Sequence, residues 1–192
     1  MDDPRLVRLD EPHVKPLMDI VRRVRDRGLR VPNVDPEDGG VDALALFLLE
    51  SPGPRAVNSH FVSRTNPDPS ARNIGTELDR VGFKRSDVVL WNVVPHCIST
   101  TTENRNATSA HIREAAADTQ AFIDALHRLR VVVYCGRKAQ QACRYIRLPL
   151  HVQQLQTFHP GAMAYNHQRC RDDLQEKFKE AHWAAVGAGR GR

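Results

Sequence analysis

Cysteine is scarce in this chain of 192 residues, and Cys97, Cys135, Cys143 and Cys170 stand well separated. No C-x-x-C pair occurs, which argues against a zinc ribbon. The four cysteines read as reduced structural thiols. No apolar run approaches the ~18 residues that a membrane span requires. The polar start Met1-Asp2-Asp3-Pro4-Arg5 has no signal-peptide character. The expectation is a cytoplasmic protein with no membrane partner. No G-x-G-x-x-G opens the first helix, so a dinucleotide-binding dehydrogenase is set aside. Internal repeats are absent as well.

Lysine is rare, yet arginine is abundant enough to give a net charge of +5 and a pI of about 9.3. That balance fits a polyanionic partner such as nucleic acid, or simply an arginine-rich solvated surface. The chain is 41% hydrophobic, enough for a sizeable core, and its length favours one domain. A single domain over residues 1–186 is expected. The Gly/Arg tail, 187–192, is expected to be mobile.

Apolar residues recur at helical spacing through Leu17, Ile20, Val21 and Val24, predicting a helix over 14–27. The continuous apolar run over 41–49 fits a strand buried on both faces. A long loop with four prolines follows over 52–69. Ser70 is the expected N-cap of a helix over 71–81 that Gly82 ends. Residues 87–93 form a second strand, 100–106 a polar loop, and 110–129 a helix capped by Ser109. A third strand covers 130–135, a short helix 138–146, a fourth strand 152–157 and a last amphipathic helix 166–185. Strands alternating with helices predict an α/β three-layer sandwich, with a central four-stranded parallel sheet flanked by helices.

Three polar loops follow three of these strands. Glu50-Ser51-Pro52-Gly53 follows the first, Asn92 ends the second, and His159-Pro160-Gly161 follows the fourth. In an open α/β sheet, loops at the carboxyl ends of strands build one cleft. An asparagine there offers one acceptor and two donors to a flat polar ring. With Phe61 in the loop after the first motif, the order and strand context over roughly residues 41–180 resemble the uracil-DNA glycosylase superfamily.

The resemblance implies an enzyme that flips uracil out of DNA and hydrolyses its N-glycosidic bond, starting base excision repair. Such a reaction passes through an oxocarbenium-like sugar and a departing base anion. By this likeness Asn92 reads the base edge and Phe61 stacks on the flipped base. His159 donates to the oxygen where negative charge develops. Pro52 and Gly53 shape the pocket. Met163 stands where an apolar wedge enters the duplex gap. Arg64, Arg72, His167 and Arg169 are candidate phosphate contacts. The partner implied is uracil-containing DNA, bound by a monomer without cofactor or metal.

The chain departs from the pattern in two places. The best-known branch carries an aspartate before the first motif's proline, where this chain has Ser51, so the residue that orients the attacking water is open. Glu50 is the favoured candidate because it lies in the motif, with Ser51, Asp68 and Asn73 as the others. Gly53 replaces a tyrosine whose bulk rejects the thymine methyl, which leaves substrate breadth open. Branches sharing the glutamate and glycine bind an iron–sulfur cluster through four cysteines, some near the N-terminus. This chain has no cysteine before Cys97, so no cluster is expected. Two rivals stand beside the glycosylase reading: a nucleoside or nucleotide hydrolase on a similar fold, and a non-catalytic DNA-binding member of the same fold.

Overall fold

The computed structural model describes residues 3–100, 103 and 105–187. Parts of the expected polar loop over 100–106, and all of the expected tail except Gly187, lie outside the described residues.

Four strands make the main sheet: β2 (Ala45–Leu49), β4 (Val88–Asn92), β5 (Val131–Cys135) and β6 (Gln153–Thr157). All neighbours are parallel, in the order β4-β2-β5-β6. Leu46, Phe47 and Leu48 of β2 and Val131, Val132 and Val133 of β5 have no exposed surface. Continuous apolar strands of this kind are what a sheet covered on both faces requires. The strand period puts alternate side chains on opposite faces, and two aromatic contacts identify each cover. Phe47 lies 4.7 Å from Phe178 of α7 (Gln168–Val186). Trp91 stacks on Phe122 of α4 (Ser109–Asp124) at 4.3 Å and 9°. The three-layer sandwich expected from the sequence is therefore the observed fold.

Helix α1 (Lys15–Arg25) buries Leu17, Ile20, Val21 and Val24, the stripe that its spacing predicts. A second, two-stranded parallel sheet joins β1 (Asn33–Val34) to β3 (Phe61–Val62). The long proline-rich loop thus contains structure of its own, including α2 (Pro54–Asn58).

Helix α3 (Pro69–Val81) begins earlier than expected. Asp68, not Ser70, is its N-cap, accepting from Ala71 N–H at 3.0 Å, and Pro69 sits in the first turn. Proline is favoured there because its missing N–H would have no helical partner. Gly82 ends the helix with φ +86°, as read from the sequence. Likewise Thr108, not Ser109, caps α4. That helix stops at Asp124 rather than 129, although Leu126 and Leu129 remain buried beyond it. Short helices α5 (Arg137–Ala142) and α6 (Ala162–Tyr165) complete the fold. Among the described residues no helix is long and apolar enough to cross a membrane.

Candidate active site

Register fixes where the cleft opens. Leu49 pairs with Asn92 and Phe47 with Leu90, so Leu90 and Asn92 share the sheet face that carries Phe47. That face is the one α7 covers. A cleft of about 560 Å³ lies at the carboxyl ends of β2 and β4 on this side. Ser51, Pro52, Gly53, Asn92 and His159 all line it, and the first turn of α3 supplies Asp68, Ser70 and Ala71. Three motifs spread over more than a hundred positions thus meet in one cavity.

Asn92 is buried at the last position of β4. Its backbone is held by the ladder, and the next two amides, Val93 N–H and Val94 N–H, donate to Leu49 O and Glu50 O at 2.9 and 3.0 Å. Its side-chain amide makes no hydrogen bond to the described residues. Lining the cleft with no partner of its own, this amide can meet an external planar group.

His159 follows β6, and its surroundings determine its protonation. Gly161 N–H donates to His159 Nδ1 at 2.9 Å. A ring nitrogen that accepts carries no proton, so the proton of the neutral ring sits on Nε2. Burial holds the imidazole below its ordinary pKa, and the negative charge of Asp68 only partly opposes this. Neighbouring backbone fixes the ring. Gly136 has φ +93°, and a Cβ there would stand 2.9 Å from His159 Cβ. Asn73 Nδ2 donates to Pro160 O at 2.7 Å. Asn73 is therefore a brace for the histidine loop and is not among the cleft-lining residues.

Other candidates lie elsewhere. Glu50 is not in the cleft lining. Ala107 N–H donates to its Oε1 at 2.5 Å, so its carboxylate anchors the segment leading into α4 instead of facing the cleft. Phe61 is also outside the lining and wholly buried, whereas the next residue, Val62, lines the cleft. One face of the Phe61 ring is covered by the Arg5 guanidinium, 4.2 Å from the ring centroid. The expected stacking position is therefore not presented to a flipped base. Arg64 is corrected too. Its side chain is 6% exposed, beside Asp38 at 3.9 Å and Asp79 at 3.4 Å. Buried itself, it is not presented to a phosphate.

Arg72 and Arg169 are exposed, on α3 and early in α7, and exposed His167 is the residue before α7. Met163 on α6 is 94% exposed. Tyr165 Oη donates to Glu77 Oε1 at 2.6 Å, and Gln175 Nε2 donates to the same oxygen at 2.9 Å. These bonds tie the Met163 helix to both α3 and α7. Sequence reasoning missed Arg55, which lines the cleft with Nη1 donating to Pro67 O at 2.9 Å. None of the four cysteines forms a disulfide. Among the described residues no three His, Cys, Asp or Glu side chains are grouped to hold a metal ion.

Comparison with known proteins adds the family. A model of the uracil DNA glycosylase superfamily matches residues 37–186. Solved structures that match include a crystal structure of mimivirus UNG, a point variant in complex with UGI. It is 14% identical over 87% of this chain and 73% of that one, with a TM-score of 0.43. The curated proteins include no match.

Proposed function

This chain belongs to the uracil DNA glycosylase superfamily, and we propose that it flips uracil out of DNA and hydrolyses its N-glycosidic bond. One observation carries the reading: a single cleft holds the unpartnered Asn92 amide and a neutral His159 whose Nε2 bears the proton. The amide matches the N3 hydrogen and O4 carbonyl of uracil, offering an acceptor to one and a donor to the other. The Nε2–H suits the O2 oxygen, on which charge accumulates as the C1′–N1 bond breaks. Donors already in place where charge develops need no reorganisation during the reaction. Exposed Met163, on a helix braced to its neighbours, suits an apolar wedge that fills the gap left by the flipped nucleotide. A duplex partner accounts for that exposed side chain, which a free-nucleotide substrate does not.

The test is release of free uracil from single- and double-stranded oligonucleotides, with normal DNA as control. Wild-type protein should release uracil. Asn92→Ala should lose ~10²-fold or more while keeping its fold, because a site built to hydrogen-bond a group suffers heavily when the partner is gone. Asn92→Asp should shift discrimination toward cytosine. Full uracil activity in the alanine variant would remove Asn92 from this role.

A further inference from the structure

We propose that Asp68 holds and deprotonates the attacking water, an assignment that rests on the glycosylase reading above. Among the described residues it is the only carboxylate that lines the cleft. Its two oxygens differ. Oδ1 accepts from Ala71 N–H at 3.0 Å as the N-cap of α3. The other oxygen has no protein partner among the described residues. A carboxylate with one oxygen tied and one open is oriented without being consumed, which is the condition for holding a water in a defined place.

Four further features agree. Pro69 and the hydrogen bond from Asp68 N–H to Asn66 O, 2.8 Å, fix the backbone on both sides of the residue. The negative charge of Asp68 acts on His159, the residue assigned to the departing base, against the larger effect of burial. A group that must face the sugar between base and solvent has to share the cleft with that histidine. Glu50, the carboxylate of the first motif, lies outside the cleft lining, where it accepts from Ala107 N–H. Ser51 lines the same cleft and can give the water a second hydrogen-bond partner.

The step balances simply. The water oxygen forms a bond to C1′ as the C1′–N1 bond breaks, and the electron pair of that bond leaves on the base. His159 Nε2–H holds the resulting anion. The water proton passes to the open oxygen of Asp68 and then to solvent. The negative carboxylate also faces the cationic sugar while the bond is broken.

Two substitutions separate this role from capping. Asparagine and serine cap helices about as well as aspartate, so Asp68→Asn and Asp68→Ser should keep the unfolding midpoint. Both should lower single-turnover uracil release by ~10²-fold or more, the usual range for a lost general base. The wild-type rate should show an acid limb that vanishes in both variants. Asp68→Glu should recover part of the rate, and binding to an abasic duplex should change little. If both variants excise at the wild-type rate while Asn92→Ala and His159→Ala fail, the Asp68 assignment is overturned and the glycosylase reading stands. A rate loss that tracks lost stability, with the acid limb intact, makes Asp68 a cap only. Wild-type protein that releases no uracil overturns both readings.

Discussion

The histidine donor can be tested before any substrate is added. Gly161 N–H occupies His159 Nδ1, and burial keeps the ring from taking up a second proton. Nitrogen NMR of the free protein at pH 7 should therefore show a neutral imidazole protonated on Nε2 alone. The energetic consequence follows from where that proton points. One preorganised donor to a developing anion is worth ~3–4 kcal/mol in comparable sites, and each ~1.4 kcal/mol is a factor of ten in rate. His159→Ala should slow single-turnover uracil release by ~10²–10³-fold. Binding to an abasic duplex, where no anion remains, should change little. Because the ring acts while neutral, the wild-type rate should not decline as pH rises from about 6.5 to 8, the range in which an ordinary histidine loses its proton. The stability effect has the same origin. A folded-state pKa below the unfolded value gives stability that is present above about 6.5 and lost as pH falls below it. An Nδ1-protonated or cationic ring at pH 7, or an alanine variant at full rate, would refute the reasoning.

Two further outcomes follow from corrected residues. Glu50→Gln keeps an oxygen to accept from Ala107 N–H and should retain most activity, whereas Glu50→Ala leaves that amide unpartnered and should cost ~1–3 kcal/mol in chemical denaturation. Asp38 is wholly enclosed, and its carboxyl is pushed up from 3.8 to about 7, first by burial and then by Asp35, against the pull of Arg85 and Arg64. Its folded-state pKa is raised, so its stabilising contribution is full below about pH 4 and lost as pH rises through about 7. In urea denaturation the contribution of Asp38 should therefore be smaller above pH 7 than near pH 4. Asp38→Asn should flatten that slope, and an unchanged slope would assign it to another group.

Much of the sheet was legible because its signals are local. The apolar runs in β2, β4 and β5 carry their burial in their own composition, and Asn92 and His159 stand at strand ends where the topology opens a cleft. The capping errors at α3 and α4 were also local. Asp68-Pro69 is the better helix start, since aspartate caps and proline suits the first turn. What stayed hidden was set by distant partners. The amide that occupies Glu50 belongs to Ala107, 57 positions away. The carboxylates beside Arg64 come from Asp38 and Asp79. No window of sequence around either residue contains its partner.

Phe61 shows how small the deciding element can be. The order of motifs correctly put an aromatic after the first strand, but order does not say which way a ring points. Its direction is set by a ladder of two residues, Asn33 with Phe61 and Val34 with Val62. Successive side chains on a strand face opposite ways, so this register turns Val62 into the cleft and Phe61 away from it. A slip of one residue would exchange them. Two residues are too short to leave a periodic signature, so the register is held from outside the ladder. Arg5 lies over the Phe61 ring while its Nη1 donates to Asp35 Oδ2 at 2.9 Å, next to β1, and to Ser63 Oγ at 3.3 Å, just after β3. One guanidinium from the N-terminal segment thereby locks both strands. The wall of the cleft that would face the base is therefore fixed by a residue that no motif includes.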